Sequence, residues 1–255
     1  QANKEFGPVR KVNISNHRNL KKTLTNELKD DVSMVIIIAP PARIKLAALL
    51  RNFKNMPFTL IDPPRNLTLP NLQQIRFKED DGAFLLGAIA AITDIKNASI
   101  LSLDDNQKTK SLAQDFTDGM RYINKDSIVS TQLGIRPTSQ NPMRVITRIE
   151  KTLIGNGLIF SLDPTISNQA LCAAKAKSKL VITAHMPKTV NQNSRLLTYL
   201  IKRYDLALMD SLRLYRHKTW KAGTIELGMG SGGYVDYALN NANVDIFPND
   251  AIDRI

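Results

Sequence analysis

Four polar residues stand at the ends of strand-like segments, where binding chemistry is common. The segments FTLID, ASILSLD, GLIFSLD and KLVITAH end in Asp62, Asp104, Asp163 and His185. Carboxylates accept hydrogen bonds and an imidazole can donate or accept them, so these side chains suit a polar ligand. Because ligands bind at the carboxyl ends of parallel strands, the four residues are the first candidates for a binding site.

Structural roles compete with ligand binding at two of these positions. Asp62 precedes two prolines, which favours an aspartate that starts a turn. Asp104 is followed by Asp105, and an aspartate pair before a helix favours a helix cap over a ligand-binding or catalytic pair. At Asp62 and Asp104 both interpretations stay open, with the structural one preferred.

No catalytic, metal or cofactor motif stands out. The sequence has no GxSxG elbow and no Ser, His and Asp at a recognisable spacing. Its three histidines lack metal-ligand spacing, and the glycine-rich stretch GMGSGGYV lacks the Lys-Ser/Thr ending of a phosphate-binding loop. We therefore expect a non-enzymatic protein without a metal or cofactor. The single cysteine, Cys172, lies in an apolar helical stretch and is expected to be a buried structural thiol.

The net charge of +12 at pH 7 is unevenly spread along the chain. Residues 141–221 carry 14 Lys and Arg residues against four Asp and Glu residues. These charges are scattered along predicted helices and are not interleaved with aromatic residues, which argues against specific nucleic-acid binding. They indicate a solvated basic surface, or attraction to an anionic membrane surface.

Strand and helix patterns alternate along the chain, which predicts an α/β fold of parallel sheets flanked by helices. Two such runs separate near residue 97. We expect an N-terminal lobe at 1–97, joined by part of the C-terminal segment at about 222–255, and a C-terminal lobe at 98–221.

Two predicted helices matter for the site. The run Ala83–Ile92 is apolar but shorter than the about 20 residues that span a bilayer, so it predicts a buried helix, with Glu79 and Asp81 near its start. Apolar residues at helical spacing predict a second helix from about 195 to 217. On that helix Lys202 and Asp205 would form an i,i+3 surface ion pair.

The apolar helix also carries a family resemblance. FKEDDGAFLLGAIAAI (residues 77–92) resembles the segment of basic membrane lipoproteins in which a phenylalanine and charged residues precede an alanine-rich helix. Further similar motifs follow in the family's order: MPFTLIDPP, DFTDGMRYINKDSIVSTQLG, LLTYLIKRYDLALMDSL and LGMGSGGYVDY. The resemblance covers roughly residues 5–237, and the chain is identified as a divergent member.

The resemblance implies a two-lobed type I periplasmic-binding-protein fold and a nucleoside-binding receptor of an ABC transporter. An ABC permease is the implied partner, and a nucleoside-like molecule is the implied ligand in the interlobe cleft. The implied location is extracytoplasmic, with a lipid anchor, although the export signal and the anchor are not in this sequence. The family's first strand has no counterpart here, so we expect an upstream, rearranged or swapped segment in its place.

The site positions fit the family only in part. Lys202 matches a ligand-contacting position, Asp205 lies nearby, and Glu79 and Asp81 fall in the segment that reaches the cleft. His185 and Pro187 stand where family members place an aspartate pair. Two functions are therefore predicted as alternatives: a receptor that binds a nucleoside-like molecule, or a receptor-like surface lipoprotein or regulator that acts through protein or surface interactions.

Overall fold

The computed structural model describes residues 6–12, 20–28, 31–40, 45–135, 142–152, 155, 157–187 and 195–248. The chain forms two compact units, each built from two separate stretches of sequence. The first unit comprises residues 1–77 and 203–234, and the second comprises residues 78–202 and 235–255.

Helices and strands alternate along most of the described chain. In chain order the elements are α1 (Leu20–Glu27), β1 (Val35–Ile38), α2 (Leu46–Leu50), β2 (Phe58–Ile61), β3 (Leu72–Phe77), α3 (Glu79–Ile92), β4 (Asn97–Leu101), α4 (Gln107–Ile123), β5 (Ile128–Gln132), α5 (Pro142–Thr152), β6 (Leu158–Ser161), α6 (Pro164–Lys177), β7 (Leu180–Thr183), β8 (Leu196–Lys202), α7 (Tyr204–Arg216), β9 (Gly223–Leu227) and β10 (Val235–Leu239). Two short 3-10 helices, Met229–Ser231 and Asn241–Ile246, flank β10.

The first unit is built on a four-stranded sheet with the order β1-β2-β3-β9, and each pair of neighbours is parallel. Leucines of α1 and α2 pack on one face of the sheet against Phe58 and Leu60 of β2. Strand β2 is buried along its whole length, as expected for a strand inside a parallel sheet. Among the described residues β1 lies at one edge of this sheet. The expectation that an upstream, rearranged or swapped segment replaces the family's first strand stays a prediction.

The second unit is built on a six-stranded sheet with the order β10-β8-β7-β6-β4-β5. Its strands are parallel except for β10, which runs antiparallel to β8. The ring of Phe116 on α4 stacks on that of Phe160 on β6, with centroids 4.2 Å apart. The α/β fold of parallel sheets flanked by helices is confirmed.

The buried helix predicted from the apolar run is confirmed as α3. Ten of its 14 residues are buried, on all sides of the helix, so α3 is a core helix. Glycines allow it to pack closely against α4, because a Cβ at Gly87 would lie 2.0 Å from the carbonyl oxygen of Phe116. Among the described residues, no helix has the length and apolarity needed to cross a membrane.

The division into units differs from the lobe boundaries expected at 97 and 221. Helix α3 belongs to the second unit, because it packs along α4. Helix α7 belongs to the first unit, because it packs on β2. Strand β10 lies beside β8 in the second unit, and of the predicted C-terminal segment only β9 pairs within the first sheet.

The prediction of one helix from about 195 to 217 is wrong. Residues 196–202 form strand β8, and the helix begins only at Tyr204. Leu197, Leu200 and Ile201 satisfy helical spacing, but β8 lies between β7 and β10 in the second sheet, where strand pairing decides its conformation. Lys202 is therefore a strand-end residue.

The prediction that Cys172 is a buried thiol is also wrong, since the residue is exposed. Helix α6 packs on the sheet through its other face, where Leu171, Ala173 and Ala174 are buried. Cys172 lies between Leu171 and Ala173 in the sequence, but its side chain is on the solvent-exposed side of the helix.

Candidate functional site

Polar side chains gather at the carboxyl edge of the second unit's sheet. Strands β4, β6, β7 and β8 are neighbours with parallel direction, so their carboxyl ends meet at one edge. The residues at or just after these ends are Ser102, Asp163, His185 and Lys202. Three residues predicted from sequence as candidates, Asp163, His185 and Lys202, therefore lie in one place, although 39 positions separate Asp163 from Lys202 in the sequence.

Asp163 bridges two strand ends. Its Oδ2 accepts a hydrogen bond from the Leu103 backbone N–H at 2.7 Å and another from Ser102 Oγ at 2.9 Å. The residue precedes Pro164, which occupies the first turn of α6, where proline needs no backbone donor. The Asp163 carboxylate thus holds the loop after β4 against the end of β6.

His185 is half-buried and contacts the same cluster. Its Nε2 lies 3.1 Å from Oγ of Ser167, which is fully buried in the first turn of α6. Burial lowers the pKa of His185 below its ordinary value; the nearby Asp163 carboxylate opposes this and the Lys202 ammonium adds to it. The imidazole is therefore neutral at pH 7.

Lys202 forms an ion pair with Glu79. Lys202 Nζ donates to Glu79 Oε1 at 2.6 Å, and Lys108 Nζ lies 2.9 Å from Glu79 Oε2. Burial acts to raise the pKa of Glu79, but the two lysines outweigh it, so the pKa lies below its ordinary value. The Glu79 and Lys202 side chains are both 19% exposed, which strengthens their attraction relative to a surface pair.

The predicted Lys202–Asp205 ion pair is wrong. Asp205 instead binds the neighbouring Arg203 guanidinium, with Arg203 Nε and Nη2 at 2.9 and 2.8 Å from its two carboxylate oxygens. The hydrogen bonds from Arg203 lower the pKa of Asp205 below its ordinary value. The pair was inferred from helical spacing, and the strand-to-helix change after Lys202 removes that spacing.

The predicted Asp104–Asp105 cap is also wrong, because Asn106 caps α4. Its Oδ1 accepts from the Thr109 backbone N–H at 3.0 Å, and the Thr109 hydroxyl accepts from the Asn106 N–H at 3.1 Å. Asp104 is exposed, and its carbonyl accepts a hydrogen bond from Thr109 Oγ1. Asp105 forms an exposed salt bridge with Lys110.

Asp81 lies in the first turn of α3, two residues after Glu79, where a carboxylate stabilises the helix dipole. It is half-buried, and its charge helps to raise the pKa of Asp115 on α4, although burial of Asp115 and the charges of Asp80 and Asp118 contribute more. Asp81 thus lies at the start of α3, close enough to α4 for its charge to act on Asp115.

The first unit holds a separate group of residues at the carboxyl edge of its own sheet. Asp62 follows β2 with a positive φ of 57°, a backbone conformation that aspartate tolerates better than most residues. The Tyr204 hydroxyl donates to Asp62 Oδ2 at 2.5 Å, and the Tyr204 ring packs edge-on against Phe77, with centroids 5.1 Å apart. Asp62 therefore lies directly after a strand and accepts a hydrogen bond from the Tyr204 hydroxyl.

Sequence reasoning missed Tyr204. The helix predicted from about 195 to 217 contains this residue near its middle, whereas Tyr204 is the first residue of α7. An apolar strand that ends in Lys-Arg before Tyr-Asp is the local signal that would have placed it at a strand end. Among the described residues, no group of three or more His, Cys, Asp and Glu is arranged to hold a metal ion.

Residues 11–134 match the sequence model of the Bmp family, described as PnrA-like ABC transporter substrate-binding proteins. This match confirms the predicted resemblance over residues 11–134. No curated protein sequence matches the chain.

Solved structures share the fold at low sequence identity. An ABC transporter solute-binding protein from Conexibacter woesei has a TM-score of 0.73 at 13% identity, over 92% of this chain and 78% of that one. Another, from Aeropyrum pernix, has a TM-score of 0.63 at 15% identity, over 88% of this chain and 65% of that one. A transcriptional activator of the comK gene from Bacillus halodurans has a TM-score of 0.69 at 13% identity, over 93% of this chain and 79% of that one. Solute-binding proteins and a transcription regulator thus share one fold.

Proposed function

We propose that this chain, similar over residues 11–134 to PnrA-like ABC transporter substrate-binding proteins, is the solute-binding component of an ABC transporter. It captures a nucleoside-like molecule outside the cytoplasm and delivers it to a membrane permease. The family match supports the transport role and the extracytoplasmic location, and a lipid anchor supplied by a segment outside this chain is part of the proposal. The main support is that Lys202, Glu79, Asp163 and His185 lie together at the carboxyl ends of the parallel strands of the second unit's sheet.

The site chemistry supports a ligand with several hydroxyl or amine groups. Glu79 and Asp163 supply carboxylate oxygens that accept hydrogen bonds, and Lys202 supplies an ammonium that donates them. Binding of this kind needs no chemical step, which supports a receptor rather than an enzyme.

The first unit offers groups of the same kind at its own strand ends. Tyr204 supplies an aromatic ring and Asp62 a carboxylate, within hydrogen-bond distance of each other. Aromatic rings stack on planar heterocycles, and carboxylates accept hydrogen bonds from sugar hydroxyls. These two groups support a ligand that combines a base with a sugar.

One observation favours the alternative function, a receptor-like surface lipoprotein or regulator without nucleoside binding. The polar groups of the second unit's site are already paired with each other: both oxygens of Glu79 contact lysines, and Asp163 Oδ2 accepts two hydrogen bonds. A ligand must displace or share these contacts, and displacing a lysine from a carboxylate costs free energy.

The test is calorimetry and thermal unfolding of the full chain with adenosine, guanosine, inosine, cytidine and uridine. A nucleoside at 100 times its Kd stabilises the folded protein by about 2.7 kcal/mol, which is a measurable rise in Tm. Lys202→Met should weaken binding at least tenfold, because its ammonium contacts the ligand. Lys175→Met, which removes an exposed lysine from α6 of the same unit, is the matched control and should bind as wild type.

Two results would count against the transport role as proposed. If no nucleoside changes the Tm or produces heat, the chain is not a nucleoside receptor. That result would favour the alternative function of a receptor-like surface lipoprotein or regulator. If nucleosides bind and Lys202→Met, with an unchanged circular dichroism spectrum, binds as tightly as wild type, Lys202 is outside the site.

A further inference from the structure

A single serine determines how His185 hydrogen-bonds within the second unit. Ser167 Oγ lies 2.8 Å from the Asp163 carbonyl oxygen, 3.0 Å from Ser161 Oγ and 3.1 Å from His185 Nε2. A serine hydroxyl has one proton to donate and two lone pairs to accept with. Ser167 is fully buried, so water does not compete for these contacts.

Ser167 Oγ is the donor in its two shorter contacts, which are to the Asp163 carbonyl oxygen and to Ser161 Oγ. A serine in the first turn of a helix commonly donates back to the carbonyl four residues earlier, which here is that of Asp163. With its proton directed there, Ser167 Oγ is left to accept from His185, so His185 Nε2 must carry a hydrogen. In a neutral imidazole the other nitrogen, Nδ1, is then an acceptor.

We propose that Ser167 holds His185 in the neutral Nε2–H tautomer, and that His185 Nδ1 accepts a hydrogen bond from an N–H or O–H group of the solute. The inference rests on the solute-binding function proposed above and adds its selectivity. Lys202, at the neighbouring strand end, supplies donors, so the two residues together select a solute that carries both a hydrogen-bond donor and an acceptor. Amine- and hydroxyl-bearing solutes fit this pattern, whereas solutes that offer only carbonyl groups lack the donor that Nδ1 requires.

The charged groups that face His185 make this selectivity dependent on pH. They are Asp163, at the end of β6, and Lys202, at the end of β8. The pKa of the ring is lowered mainly by burial, so the neutral form prevails at pH 7. On acidification Nδ1 takes up a proton and becomes a donor, which removes the contact with the solute and places a positive charge near Lys202.

The tautomer is tested by nitrogen-15 NMR of the histidine rings in the whole chain. The chain has three histidines, and His185→Asn identifies the signal that belongs to His185. The wild type should show the Nε2–H pattern, and Ser167→Ala should shift the ring toward a mixture of tautomers. An Nδ1–H pattern in the wild type, or an unchanged pattern in Ser167→Ala, overturns the role of Ser167.

The solute contact is tested by calorimetry with the tightest-binding nucleoside of the five. His185→Asn keeps an acceptor close to the position of Nδ1 and should stay within about threefold of wild-type affinity. His185→Leu removes the acceptor and should weaken binding about tenfold or more, because a ligand donor is left unpaired. Below the pKa of His185, wild-type affinity should fall about tenfold per pH unit, while His185→Asn should not show this loss.

The outcomes separate this inference from the proposed function. If nucleosides bind equally to wild type and His185→Leu, or if the acid loss persists in His185→Asn, the solute contact is refuted and the receptor function stands. If no nucleoside binds the wild type, the receptor function and the solute contact both fall, and the NMR pattern still decides the role of Ser167.

Discussion

Replacing Gly87 by alanine tests how α3 is held in the second unit. The two helices α3 and α4 approach each other through a reciprocal pair of glycines. A Cβ at Gly87 would lie 2.0 Å from the Phe116 carbonyl oxygen, and a Cβ at Gly119 would lie 1.9 Å from that of Phe84. The obstructing atoms are backbone atoms, which do not move aside as a side-chain tip does.

Two opposing contributions set the expected size of the effect. Alanine favours a helix over glycine by about 1 kcal/mol, which stabilises the variant. Ordinary contact begins at 3.4 Å, so α3 and α4 must separate locally by about 1.4 Å to accept the new methyl group. Such overpacking costs about 3 kcal/mol at the upper end of the usual range, because the separation also loosens contacts along both helices. The net expectation for Gly87→Ala is a loss of about 2 kcal/mol in the free energy of unfolding.

The assay is urea unfolding followed by circular dichroism, with Gly230→Ala as the control. Gly230 has open space around the position of a Cβ and no positive φ, so its change should stay within about 0.5 kcal/mol of wild type. A Gly87→Ala midpoint equal to or above that of wild type would refute the reasoning. It would mean that α3 and α4 can separate locally without cost in free energy.

Three further predictions concern the Glu79–Lys202 ion pair and the cap of helix α4. Glu79→Gln and Lys202→Met should show a coupling free energy of about 1–3 kcal/mol in a double-mutant cycle of urea unfolding, because the pair is largely buried, and additive effects would contradict this. The pKa of Glu79 lies below its ordinary 4.5, so its contribution to stability is present above pH 4.5 and is lost as the pH falls through the lowered pKa. Glu79→Gln should therefore remove this part of the acid dependence of the unfolding free energy. Asn106→Ala removes the cap of α4 and should lower the free energy of unfolding by about 1 kcal/mol. Asn106→Ser keeps a hydrogen-bond acceptor and should lower it by only about a few tenths of a kcal/mol. Equal losses in both variants would show that the cap contributes little.

Local patterns predicted the scaffold well. Helix α3 follows from an apolar run bounded by charged residues, and the buried strands follow from runs of apolar and β-branched residues. Strand β8 was missed because Leu197, Leu200 and Ile201 fit the helical and the extended pattern alike. What decides between them is pairing with β7 and β10, and such pairing joins residues far apart in the sequence.

The sequence predicted where the candidate site lies in the fold, but it predicted only part of the contacts between the side chains there. Asp163 and His185 are candidates from the sequence because each follows a strand, and parallel strands bring their ends together. The partner of Lys202 was assigned wrongly, because Glu79 is 123 residues away and helical spacing suggested Asp205. Ser167 carries no sequence signal, since its proposed role depends on burial beside the His185 imidazole. Tyr204 was missed because residues 196–202 were predicted to be helical.

The interrupted course of the chain through the first unit constrains the order of folding during synthesis. Strand β9 completes the first sheet by pairing with β3, and Gln73 donates to the Lys221 carbonyl across 148 residues. A ribosome must therefore make residues 78–202, most of the second unit, before the first sheet can close. Until then one long side of β3 lacks its partner strand, and such an edge is prone to pair with other chains. The second unit meanwhile has five of its six strands in one continuous stretch, so it can begin to fold first.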